Sequence, residues 1–267
     1  MRRIPVRFWL VSAFLLAGMA FFCPADAADA TDDEFKALVD QDAKAITMAA
    51  SKSGKTKASE KNSSSAIKSN ALIMASYANA RIDGKNAGSD ANAAAVRDLA
   101  IKLFQAAEKK DFKAVAALVT ELANPKPAAT AKKIDVLKTL NDYLKGLGED
   151  KQLSQKDVMD NFKSTDKFGT NGEADIKANG TKKKAPAKPA EANLIALRVL
   201  TMAELNKTIT KTENAAAKKE WDEYNQTMIK AANDLQAAAA KKTSPADMAK
   251  IFTRLDGSCT ACHDQFK

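Results

Sequence analysis

The chain closes on "SPADMAKIFTRLDGSCTACHDQFK", residues 244–267. Ser244 followed by Pro245 is a helix start: the hydroxyl can cap exposed amides, and proline is favoured at the first helical position. From there Met248, Ile251, Phe252, Leu255, Cys259, Cys262, His263 and Phe266 follow at steps of three, one, three, four, three, one and three. That is the spacing of one helix face. The apolar stripe therefore runs on into two cysteines and the only histidine of the chain. Cys259-Thr260-Ala261-Cys262-His263 has the spacing of c-type haem attachment. Thiols at i and i+3 can reach the two vinyl groups of a porphyrin, and an imidazole at i+4 can sit under the iron. The same stripe predicts a haem buried between this helix and its neighbours. A structural zinc site wants four Cys or His ligands, and the mature chain offers three. A thioredoxin-type dithiol sits in a βαβ setting, which the patterning lacks.

Upstream, helical spacing dominates and no comparable run alternates with period two, so the fold class is all-α. Phe35, Leu38, Val39, Ile46 and Ala49 mark a first helix, and Ile67, Ala71, Met74, Ala78 and Ile82 a second. Val96, Leu99, Ala100, Leu103 and Phe104 mark a third, and Phe112, Val115, Leu118, Val119 and Leu122 a fourth. Asn124-Pro125-Lys126-Pro127 ends the fourth, because proline lacks an amide donor and biases the preceding residue to an extended form. The spacing resumes over Ile134–Leu144 and weakly over Val158–Phe162. Residues 166–190 hold Gly169, Gly172, Gly180, Lys182-Lys183-Lys184, Pro186 and Pro189 and read as a flexible loop. Two strong patterns follow, one through Leu194, Leu197 and Leu200 and one through Trp221, Tyr224 and Met228.

A faint repeat runs through the chain. "KAVAALVTEL" (113–122) resembles "ADMAKIFTRL" (246–255), "FQAAEKK" (104–110) resembles "LQAAAAKK" (235–242), and "ALIMAS" (71–76) resembles "VLTMAE" (199–204). The competing reading is common Ala-rich composition. The domain organisation expected is a haem-free helical bundle at 31–125, which has no Cys or His, and a haem bundle at 130–267.

Residues 1–27, or 1–30 at the alternative cleavage point, read as a secretory signal peptide: Arg2, Arg3 and Arg7, an apolar run over 8–22, then small residues. The run is short for a membrane span, and Cys23 leaves with the leader. Cutting after Ala27 removes three arginines and Asp26, leaving 39 basic against 32 acidic residues, a net +7. No aromatics interleave with the basic runs, so nucleic acid is not the expected partner. A periplasmic location follows from the leader.

At its end the sequence resembles the cytochrome c-prime (class II c-type cytochrome) family. "CTACHDQFK" carries the resemblance, with CxxCH, two residues, then an aromatic and a basic residue. It extends back through the Trp221 and Met248 helices and more weakly to residue 190. The resemblance implies an up-down four-helix bundle with the haem motif on its last helix. It implies haem c, one per chain, with Cys259 and Cys262 as thioether sites, His263 as proximal iron ligand and Lys267 at the haem edge. In the family the distal residue comes from the first helix of the bundle. Met159 is the candidate sixth ligand if that helix is 154–165; Leu137 or Leu140 would face the iron if it is 133–146.

Three functional classes stay open at this point. One is electron transfer with an unidentified redox partner protein. Another is a five-coordinate haem protein binding nitric oxide or carbon monoxide. The third is a non-haem helical scaffold that binds a partner. The role open to the first bundle is a docking surface or a homodimer contact. An enzyme is not expected, because the sole histidine is committed to iron.

Overall fold

The computed structural model describes residues 30–54, 56–148, 152–181, 188–209 and 214–266. Residues 1–27, which the sequence reading makes a signal peptide, and Lys267 lie outside the described residues. Every regular element is helical: α1 (Asp32–Ser51), α2 (Lys57–Arg81), α3 (Ala87–Glu108), α4 (Phe112–Leu122), α5 (Val136–Gly146), α6 (Gln155–Met159), α7 (Gly172–Gly180), α8 (Pro189–Thr208), α9 (Ala215–Ala240) and α10 (Pro245–Phe266). No strand occurs among the described residues, and no described helix is long and apolar enough to cross a membrane.

Local chemistry sets the helix ends. Thr31 and Glu34 form a reciprocal capping box at α1. Asn86 and Asn214 accept from the amides two and three residues on, and so start α3 and α9. α4 stops at Leu122, just before Pro125, as the sequence requires.

The first four helices pack consecutively, and α1 closes on α4. In the second half α8 packs on α9, α9 on α10 and α10 on α7. The two halves share one continuous apolar core, because α2 lies against α6 and α8, and α1 against α8. Stripe reading gave α2 a single buried face. Leu72, Ile73, Ala75 and Tyr77 are buried as well, since the helix is covered on several sides.

Residues 166–190 are not all loop, contrary to the sequence reading. They contain α7, and only 182–187 of them lie outside the described residues. The glycines here permit close approach and do not simply loosen the chain. A Cβ at Gly169 would fall 2.2 Å from the Lys163 carbonyl oxygen. This lets the turn between α6 and α7 close, with the Thr170 amide donating to the Asn161 carbonyl at 2.7 Å. A Cβ at Gly180 would meet the Thr253 backbone nitrogen at 3.1 Å, so α7 lies tight on α10.

Candidate functional site

Ser244 starts α10 by accepting from the Asp247 amide at 3.2 Å while its hydroxyl donates to the Asp247 carboxylate at 2.8 Å. Met248, Phe252 and Leu255 are buried. Cys259, Cys262 and His263 continue that face and are half-buried. The register against α9 is held at two levels: Arg254 pairs with Asp234 at 2.9 Å, and the Gln265 amide donates to Glu220 at 3.0 Å. Against α7, the Thr253 hydroxyl donates to the Gly180 carbonyl at 2.9 Å. On α9, Trp221 is buried and its indole N–H donates to the Asn206 carbonyl at 2.8 Å, tying α9 to α8. The three candidate groups thus ride on a helix clamped from two sides.

The two thiols are not joined in a disulfide. Burial first, then the nearby Asp256 and Cys262, pushes the Cys259 thiol up to about 12, and burial also raises Cys262. A redox dithiol needs a lowered thiol pKa to attack, so both shifts run against that chemistry. Among the described residues no group of three or more His, Cys, Asp or Glu converges to hold a metal ion, which lends zinc no support. Two unjoined thiols one turn apart, with an imidazole beside the second, do fit a c-type haem: thioether formation uses the two sulfurs, and the imidazole is left as the iron ligand. In haem-free protein, Cys259 should alkylate slowly. With its pKa at about 12 the thiol is almost wholly protonated at pH 8, and the greater nucleophilicity of a more basic thiolate restores only part of the lost rate. Alkylation by iodoacetamide, followed by mass spectrometry, is expected to run at least about tenfold slower than for an ordinary thiol. A rate equal to that of a free thiol would refute the buried placement.

The structure does not bring every sequence candidate to the site. Met159 is on α6, which packs on α2 and α8, whereas α10 packs on α7 and α9. Leu137 and Leu140 are on α5, which packs on α2. Neither alternative first helix therefore packs on α10 as α7 and α9 do. On α7, Ile176 is buried and Glu173 is close enough to Cys259 to raise its thiol. Sequence reasoning missed both, because "GEADIKANG" (172–180) carries one large apolar residue and shows no stripe.

Residues 149–267 match the family model for cytochrome C'. No curated protein and no solved structure matches the chain. The matched segment spans α6 to α10 and includes the motif, and it stops short of α1 to α5. The match supports a c-type haem protein with covalently bound haem, built on a four-helix bundle.

Proposed function

We propose that this protein is an exported, periplasmic cytochrome that carries electrons through one haem c, and that it is not an enzyme. The observation that carries the reading is the continuation of the α10 core face into Cys259, Cys262 and His263. Cys259 and Cys262 would hold the haem by thioether bonds and His263 would be its proximal ligand. Bound haem supplies one-electron chemistry, and the protein tunes it by axial ligation and burial. α7 and α9 exclude water from the inner face of α10. Lys267 remains the proposed haem-edge residue. The redox partner is a protein that docks near that edge. One haem per chain follows from the absence of Cys and His in 31–125.

The packing of α7 beside α10 favours a second reading of the same centre, a nitric oxide or carbon monoxide binder. α7 offers Ile176 and no methionine, so an open sixth position is expected. The ferrous spectrum tests this. A broad high-spin Soret band that shifts on adding carbon monoxide is expected. A sharp low-spin spectrum that ignores carbon monoxide, and turns high-spin in Met159→Ala, would restore Met159 as sixth ligand and favour a dedicated electron carrier.

A further inference from the structure

We propose that the chain is an intramolecular pseudo-dimer, in which α1–α4 stand to the haem bundle as a second copy stands to the first in a two-fold dimer. The first half then has a definite role. It occupies the α6/α8 face of the haem bundle and so removes that face from self-association.

Local backbone structure recurs at the offsets of the sequence repeat. Asn86 and Asn214, 128 residues apart, cap α3 and α9 through the same pair of amides. Lys110 and Lys242, 132 apart, both take left-handed backbone, with φ of 56° and 48°. The residue after each donates its amide five residues back, Asp111 to Ala106 at 2.9 Å and Thr243 to Ala238 at 3.0 Å. Lysine is an uncommon residue for that conformation, and Ala-rich composition does not explain its recurrence. Asp111 and Ser244, 133 apart, cap α4 and α10. A cavity of about 460 Å³ opens beside α1, α3 and Leu122–Pro125. Those four residues precede Leu255–Ser258, the turn entering the haem motif, by 133. At the same offset Lys126, Ala129 and Thr130 stand where Cys259, Cys262 and His263 stand in the second copy.

The interface itself has the reciprocity of a two-fold contact, in which residue i meets j of the partner and j meets i. α1 packs on α8, and residues 160–162, which stand 128 after Asp32–Glu34 at the start of α1, pack on α2, while α2 packs on its own counterpart α8. Asn70 and Arg198 are equivalent at the offset of 128. They meet in one buried cluster: Asn161 donates to Asn70 at 2.9 Å and accepts from Arg198 at 3.0 Å. The Asp42 carboxylate of α1 receives Arg198 at 2.7 Å and Asn161 at 3.0 Å. Asn161 and Arg198 of the second half thus meet Asp42 and Asn70 of the first in a single network.

Exchanging the equivalent residues tests the proposal in the haem-loaded mature protein. Asn70→Arg alone puts a second guanidinium beside Arg198. It should lower the melting temperature by roughly 10 °C, the scale of a buried uncompensated charge in a chain this size. Asn70→Arg combined with Arg198→Asn returns one guanidinium to the cluster from the other side of the pseudo-axis. It should recover at least half of the loss, and both the wild type and the exchanged protein should sediment with the mass of one chain. An exchange no more stable than the single variant would show that the two positions are not equivalent and overturn the proposal. So would wild-type protein that forms a two-chain dimer with new hydrogen-exchange protection on α6 and α8.

Discussion

Cys259→Ser combined with Cys262→Ser is expected to abolish covalent haem. Each thiol supplies one thioether, so either single change leaves one link and should lower the yield of attached haem. The pair leaves none. Wild-type mature protein should stay red through acidified acetone extraction and give a haem-staining band in denaturing electrophoresis. The double variant should lose all of it, while its helical circular dichroism shows whether the bundle still forms. His263→Ala separates the roles further. It keeps both sulfurs, so haem stays attached and the proximal imidazole is lost, with a displaced Soret band as the readout. Haem retained through extraction in the double variant would sink the assignment of both cysteines.

The shared helix face of the two thiols and the imidazole was legible because its signal is local. Two thiols and an imidazole within five residues need only a helix to share a face, and the stripe from Met248 to Leu255 supplies that helix. The packing of α7 on α10 was not legible. Ile176 is one apolar residue in a Gly-rich, charged stretch, and what fixes α7 is the backbone approach of Gly180 to Thr253. A glycine chosen for closeness looks, in one dimension, like a glycine chosen for freedom. That confusion turned α7 into loop.

The architecture divides in the same way. Helix count and ends came from stripes and caps, which act over a few residues. The joining of the halves came from long range. In "ALIMASYA" (71–78) and "ALRVLTMAEL" (196–205) apolar residues surround the helix, and such helices are buried on all sides. This pattern in α2 and α8 was the available sign that each has a second interface. The partners inside that interface carry no sequence signal, since Asp42 and Arg198 lie 156 residues apart.

Arg198→Met should destabilise the protein by about 3–5 kcal/mol, the usual cost of stranding one member of a buried ion pair. Asp42 is fully buried and Arg198 is 3% exposed, so water cannot replace the lost guanidinium. Adding Asp42→Leu should return most of that loss, because two apolar side chains of similar bulk need no solvation. The single variant should also depend on pH in a definite direction. Burial already raises the Asp42 carboxyl above its ordinary value of 3.8, against the opposing pull of Arg198. Removing the arginine removes the opposing pull and raises it further. A carboxyl with a folded pKa above its unfolded one binds more proton in the folded state. Its contribution to stability is therefore fully present below the unfolded value and is lost as pH rises through the folded one. Urea unfolding should find Arg198→Met nearest to wild type in acid and furthest from it at neutral pH. In the double variant this added pH dependence should vanish. A single variant that loses less than about 1 kcal/mol, with no added pH dependence, would mean that the cluster does not hold the two bundles together.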